Sequence, residues 1–542
     1  MSYDREIKLF NAITNIRDDL VEHAQDMKFE SAGTVLDTQS DTDYDAKGKT
    51  PRKTKLRIRW KLLSSAAACI LAAGLAGILI WQGVFHIGGK TGGGSANDGG
   101  SGHSEGTTFM SYAGPVFPLT LSEAYGSITA SRHVSFDFSS QPGDFHTIWG
   151  SRVRDSYVLS NHSEHDVTVT ALYPFVSSFA DMEKFRPSIT TGTEAVQPVM
   201  HPGGYSGGFT GVAGEDDPNG SINIKETDSW EDYKALLKDG SYLKNALSSF
   251  PRLDQKVTVY EFSDFEAPLE QYPPATQAIS FTIDSSRTTI LTYGFNGSEW
   301  HDNGFRRYSY FVPENTSLRK QCKMLIVLGD DIGSYSLQGY KNGACENGNE
   351  LEGVSCTITH YEAVLADVLD RLISEWLQYD MNEGLPAGVS KEMFIGTAAE
   401  LLTVYGPLDN TTTERYQDGR LDDIINEAYV LDRVFYLEFP VTLPAGGSIT
   451  VTADLYKGPS FDFACSGSEN TGIQGYDMVT RLGSNLDFES QTAELTNTEL
   501  IEIVRQNFGF DLSNNVTKVT LNPAVEHYYL EIRVKEKSGQ DQ

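Results

Sequence analysis

Residues that could do chemistry in this 542-residue chain are scattered, and few of them form a pattern. Gly204-Tyr205-Ser206-Gly207-Gly208 has the outline of a hydrolase nucleophile elbow. That chemistry needs a strand before the serine and a helix after it, so that the hydroxyl is presented at a sharp turn. The sequence that follows, GFTGVAGEDDPNG, cannot start a helix, so the motif reads as a glycine-rich loop. Ser-x-x-Lys occurs at 241–244 and at 317–320, but the companion Ser-Asp-Asn is absent. The one Lys-Thr-Gly, at 90–92, lies in a glycine-rich stretch, so penicillin-binding chemistry is not indicated. LPAGG at 443–447 lacks the threonine of a sortase signal and reads as a turn.

Metal chemistry fares no better. His162 and His165 stand three apart in NHSEHD, whereas a metal site needs three or four converging ligands; the stretch reads as a solvated hairpin tip. Asp217, Asn219 and Ser221 have calcium-loop spacing, but Ile222 occupies the glycine position and no glutamate closes the loop. Catalytic, cofactor and metal residues are therefore left unassigned, no cofactor is expected, and enzymatic activity is not the favoured expectation. Outside Cys69 the cysteines are Cys322, Cys345, Cys356 and Cys465, which allow three pairings. Cys345 and Cys356 flank a Gly/Asn-rich turn and are the candidate disulfide, with unpaired thiols as the alternative. The absence of Cys-x-x-Cys argues against a zinc ribbon or a thioredoxin-type site.

The elements around these residues divide the chain sharply. Leu62 to Phe85 is 24 residues without a charge, bracketed by Trp60 and Trp81. At about 1.5 Å per residue it exceeds the roughly 30 Å hydrocarbon core, and it reads as one transmembrane helix. Residues 47–61 carry eight Lys and Arg and no acid, whereas Lys90 is the sole cation in 86–109. That asymmetry places the N-terminus in the cytoplasm and the large C-terminal part outside the cell membrane. The run begins some sixty residues into the chain and is too long for a cleaved signal peptide. Ser65, Cys69, Ala73 and Gly77 fall four apart, a small-residue stripe that would let two such helices approach closely, although an Ala/Gly-rich span also produces one by chance.

Charge follows the same division. The formal net charge is −31. Residues 1–61 hold 12 Lys and Arg against 11 Asp and Glu, and 62–542 hold 31 against 63. A surface that acidic repels phosphate backbones, so nucleic acid is not an expected partner. In the tail, Ile7, Phe10, Ile13, Ile16 and Leu20 recur at helical spacing over 1–28, an amphipathic face for a cytoplasmic protein partner. Residues 29–61 read as a disordered basic tether. Residues 88–108 contain nine glycines, and the 86–109 segment reads as a spacer of about 25 Å reach.

From 110 onward strand signals dominate. They include DVTVTALYPFV (166–176), KVTVYEF (256–262), AISFTI (278–283), TTILTYGF (288–295), KMLIVLG (323–329) and EHYYLEIRVK (526–535). RVFYLEFPVTLPAGGSITVTADLY (433–456) reads as a hairpin connected by PAGGS. Helices are expected at 229–240, 360–378 and near 391–405. Another is expected from Thr496, where Glu499 completes a capping box and Gly509 terminates. The expected fold is thus a transmembrane helix plus a mainly-β (α+β) ectodomain of antiparallel sandwich-like modules with a few covering helices. Its β-rich first part spans 110–380 and its α+β second part 381–542. VTVTALY (167–173) resembles ITVTADLY (449–456), as two Ig-like sandwiches would explain; Val/Thr alternation in strands explains it equally.

The helix REIKLFNAITNIRDDLVEHA, the basic KTPRKTKLRIRWK and the single span together resemble the membrane-anchored anti-sigma-like and sensor proteins of Gram-positive bacteria. The resemblance covers about the first 90 residues. The tail has His23 but no Cys-x-x-Cys, so the zinc-binding subtype is not implied. The resemblance implies a single-pass sensor whose outer domain binds an envelope or extracellular ligand and whose tail regulates. The alternatives are a surface-anchored adhesion module and a membrane-tethered hydrolase.

Overall fold

The computed structural model describes residues 111–112, 114–139, 150–205, 234–235, 237–238, 240–268, 275–312, 323–379, 384–404, 406–408, 418–462 and 472–535. The expected tail helix, tether, span and spacer lie outside these residues, as do the face of Ile7, Phe10, Ile13, Ile16 and Leu20 and the stripe of Ser65, Cys69, Ala73 and Gly77. Among the described residues, no helix is long and apolar enough to cross a membrane.

The described chain is mainly β, with three runs of eight strands. The first run holds β1 (Ser111–Tyr112), β2 (Thr120–Leu121), β3 (Ile128–Asp137), β4 (Ser151–Asn161), β5 (Val167–Ser177), β6 (Ser188–Thr191), β7 (Glu194–Val196) and β8 (Val199–Tyr205). The second holds β9 (Lys256–Glu266), β10 (Thr276–Thr282), β11 (Thr288–Tyr293), β12 (Gly297–Trp300), β13 (Phe305–Phe311), β14 (Lys323–Gly329), β15 (Tyr335–Tyr340) and β16 (Ser355–Val364). The third holds β17 (Arg433–Leu443), β18 (Ser448–Lys457), β19 (Phe461–Asp462), β20 (Ile473–Val479), β21 (Asp487–Thr496), β22 (Ile501–Gln506), β23 (Lys518–Thr520) and β24 (His527–Val534). The α-helices are α1 (Met182–Phe185), α2 (Ser241–Ala246), α3 (Leu365–Tyr379), α4 (Lys391–Val404) and α5 (Leu421–Val430).

The second run forms a sandwich by itself. Sheets β11-β14-β9-β16 and β12-β13-β10-β15 are both antiparallel and enclose a core that includes Phe262, Phe281, Phe295, Tyr308 and Tyr310. Strands β11, β14 and the first half of β9 in the first sheet are covered on both faces. Tyr260, Phe262, Leu325 and Val327 point into the sandwich, and Val257, Val259, Met324 and Ile326 pack into the larger core with α3, α4 and α5. Two covered faces explain why KMLIVLG is a continuous apolar run and not an alternating one.

The first and third runs interleave. They build the sheets β2-β5-β17-β8, β1-β19-β20-β24-β22 and β23-β21-β3-β4-β18-β6-β7. The seven-stranded sheet is antiparallel except where β21 runs parallel to β3. Its inner face turns Ala130, Tyr157, Leu159 and Val451 toward the sheet containing β5 and β17. Farther along, Val134, Phe136, Val153 and Leu495 face the sheet containing β20 and β24. Strands from either side of residue 380 therefore share sheets.

Two expected hairpins are corners between sheets. β4 and β18 lie in the seven-stranded sheet, whereas β5 and β17, which follow and precede them, lie opposite across the core. β4 pairs with β18 and β5 with β17, so the two corners interlock. Asn161 Nδ2 donates to the carbonyls of His165 at 2.8 Å and Pro444 at 3.1 Å, and Ala445 N donates to Asp166 Oδ1 at 2.9 Å. VTVTALY and ITVTADLY are the second arms of these two corners, in opposite sheets of one assembly. The helix expected from Thr496 is also absent. After a short 3-10 turn at Thr498–Leu500, Ile501–Gln506 is a strand, because β-branched Ile501, Ile503 and Val504 suit pairing with β24. α3 begins at Leu365, with β16 running up to Val364.

Candidate functional site

Buried charge is tied into hydrogen-bonded groups, three of which lie among the strands of the first and third runs. Arg132 and Asp155 form a two-bond pair with both side chains wholly buried, Nε to Oδ1 at 2.9 Å and Nη2 to Oδ2 at 2.8 Å. Arg132 also donates to the carbonyls of Val479 and Phe117, and Tyr157 and Tyr173 donate to Asp155. His527 and Asp477 meet at 2.8 Å, and the buried Lys457 ammonium donates to the Gly114 carbonyl at 2.7 Å. Burial lowers the Lys457 pKa, while Asp477 and Asp432 oppose that shift. Arg433 donates to Gly203 O and contacts Glu400. None of these charged residues lines a described cavity, and hydrogen-bonded buried charge of this kind serves to fix strand geometry.

A cavity of about 460 Å³ lies over the outer face of the sheet containing β5 and β17. Its floor includes Pro174 and Tyr436, which are cross-strand partners. Proline is tolerated there because β2 pairs β5 only at Ala171 and Leu172, so Pro174 has no ladder partner on its second side among the described residues. One wall is Phe117, Pro118 and Thr120 with Leu482 to Asn485. These two segments are stapled: Ser484 Oγ donates to Leu119 O at 2.6 Å, Leu121 N to Asn485 Oδ1 at 2.9 Å, and Asn485 Nδ2 to Leu121 O at 2.8 Å. The other wall comes from Leu237 through α2 to Leu247. Gly203 lets that wall approach, since a Cβ there would stand 2.4 Å from Val434 O and 3.0 Å from Tyr242 O.

The electrostatics are simple. Tyr436 is 4% exposed, its burial raises the hydroxyl pKa, and that hydroxyl has no hydrogen-bond partner among the described residues. Lys238, a lining residue, shares the carboxylate of Glu526 with Lys234, each at 3.3 Å. Burial works to raise the Glu526 pKa, but the two ammonium groups outweigh it and hold the carboxyl below its ordinary range. Lys244 also lines the cavity and has no carboxylate partner among the described residues. Leucine, aromatic and proline side chains with a few polar groups are the composition of a small-molecule pocket. No described lining residue is a histidine, acid or cysteine.

The sequence candidates do not converge. Ser206, Asp217, Asn219 and Ser221 lie outside the described residues; Gly204 and Tyr205 end β8. Ser241 and Lys244 both fall on α2, which brings Lys244 to the cavity rim. His162 contacts Thr129 Oγ1 at 2.8 Å, whereas His165 contributes its carbonyl to Asn161 and Ser163. Among the described residues, no group of three or more His, Cys, Asp and Glu could hold a metal. Cys345 and Cys356 are free thiols, so the expected bridge is not made. Cys345 bonds the Ser309 hydroxyl and Cys356 that of Tyr310, and burial raises both thiol pKa values. Phe117, Tyr436 and Leu482 were not singled out from sequence. The available signal was RVFYL, where consecutive apolar residues announce a strand covered on both faces. No known family matches the chain in a scan of family models, and no curated protein matches it.

Proposed function

We propose that this chain is a single-pass membrane protein that binds a small ligand in its β-rich extracytoplasmic part and regulates through its cytoplasmic tail. The cavity carries the binding half of this reading: it is walled by hydrogen-bonded segments and floored by Pro174 and the largely buried Tyr436. The membrane half rests on the 24-residue uncharged run and the eight cations that precede it. The tail face of Ile7, Phe10, Ile13, Ile16 and Leu20 supplies the surface for a cytoplasmic partner, with an anti-sigma-like role as the favoured form.

Protease added to intact cells tests the topology. A tag after Gln542 should be lost while a tag before Met1 is retained, and retention of both tags overturns it. Deleting residues 1–45 tests regulation: unchanged transcription with ligand binding intact would leave a surface-anchored binding module instead.

A further inference from the structure

One flank of the second-run sandwich is a strand short. In β15, Tyr335 and Leu337 stand opposite Phe281 and Ile279 of β10 and so share their inward face. Phe281 and Ile279 are 4% and 0% exposed, whereas Tyr335 and Leu337 are 41% and 38% exposed. The facing sheet β11-β14-β9-β16 stops before it covers them. It stops at β16, which pairs with β9 alone among the described residues. Tyr260 marks the boundary, its ring 6.0 Å from that of Tyr335 and 4.8 Å from that of His360 in β16. The β16 sequence SCTITHYEAV is rich in strand formers and holds neither the Lys nor the Pro that blunts an exposed edge.

We propose that a second copy of this chain fills the gap. β16 pairs antiparallel with β16 of the second copy across a two-fold axis, and each added strand lies over Tyr335 and Leu337 of the other copy. Strand addition alone admits any extended segment; complementarity along β16 selects a second copy. Pairing about Tyr361 sets Ile358 opposite Val364, Thr359 opposite Ala363 and His360 opposite Glu362 of the second copy, each twice. Apolar then meets apolar, and imidazole meets carboxylate, on the inward face. His360 and Glu362 are both exposed and available for this. A displacement of two residues sets Glu362 against Glu362 or His360 against His360, and a displacement of one opposes inward to outward residues. The bulge between Ser355 and Thr357 falls outside the paired stretch.

Sedimentation velocity of the full chain in density-matched detergent tests this. The wild-type chain should form a dimer at micromolar concentration. His360→Glu sets acid against acid and should weaken the dimer about tenfold, and Glu362→Lys should weaken it similarly. Combining His360→Glu with Glu362→Lys restores opposite charges across the axis and should return the affinity to within about threefold of wild type. Leu337→Lys places a charge under the added strand and should weaken the dimer about tenfold. All three side chains are exposed, so urea midpoints should stay at the wild-type value. A chain that is monomeric throughout the micromolar range overturns the proposal. A dimer that neither His360→Glu nor Leu337→Lys weakens is held elsewhere and overturns it too, as does a double variant no tighter than His360→Glu.

Discussion

Replacing Arg132 by methionine should destabilise the described domain by about 3–5 kcal/mol, the usual cost of breaking a buried ion pair from one side. The site explains why the cost falls near the top of that range. Arg132 lies on β3 between Ala130, which packs in the larger core, and Val134, which packs in the smaller one. It thus sits at the seam where the seven-stranded sheet passes from one facing sheet to the other. Methionine leaves the Asp155 carboxylate buried with donors from Tyr157 and Tyr173 alone. It also removes the donors to Val479 O at 2.7 Å and Phe117 O at 3.1 Å. Each orphaned carbonyl adds on the order of 1 kcal/mol, though not additively. Arg132→Lys should recover only part of the loss, since one ammonium cannot reproduce the two-bond fork. Urea unfolding of the full chain followed by tryptophan fluorescence measures these costs, with Asp155→Asn and the double variant completing a cycle. The double variant should cost at least 1 kcal/mol less than the sum of the singles. A cost under about 1 kcal/mol for Arg132→Met at unchanged m-value, or strict additivity in the cycle, would refute the keystone role.

Other outcomes follow from the same geometry. Burial and the neighbouring Asp422 charge hold Asp423 at about 7, with Arg420 opposing, so the folded state keeps a proton that the unfolded chain has lost. That contribution is full below pH 4 and disappears as pH rises through about 7, so Asp423→Asn should raise the melting temperature at pH 8 and leave it unchanged at pH 4. Non-reducing peptide mapping should recover Cys345 and Cys356 unbridged, and labelling of Cys345 by a thiol reagent should be slow until the chain is denatured. Phe435→Ala should cost about 3–5 kcal/mol in urea unfolding, because the ring is fully buried between Phe175 and Phe179.

Strand signals were legible where the residues were β-branched and the strand was covered on both faces. KMLIVLG coincides with β14 to the residue. The long strands β3 and β4 escaped notice because ITASRHVSFD and SRVRDSYVLSN carry charge at every few positions, although their alternation is regular and their buried residues follow it. Topology was less legible. A corner between facing sheets and a hairpin within one sheet both need a short polar connection between apolar strands, so PAGGS and NHSEHD could not distinguish them. The difference lies in which strands pair, and that is decided by contacts between residues nearly 300 apart. The strand at Ile501–Gln506 overrode a local capping signal because its partner, β24, supplies a full ladder. α5 carries Leu421, Ile424, Ile425 and Ala428 on one face with two acids in its first turn, a helical signature legible in the sequence. The cavity was invisible because its lining comes from five separate stretches of the chain.

On the proposed binding reading, β17 would serve stability and recognition together. Phe435, Leu437, Phe439, Val441 and Leu443 point into the large core, and Val434 and Tyr436 point the other way, into a small cluster beside the cavity. The pleat makes this separation unavoidable, because adjacent side chains leave opposite faces. The core-facing set fixes register with β5 along its whole length, so the outward residues inherit a position that no ligand has to organise. A cavity placed on such a face is preformed, and binding there need not carry the entropy of ordering its floor. The same separation spares the fold from changes in recognition. On that reading, outward substitutions would alter what is bound, while the ladder and the core beneath keep the strand in place.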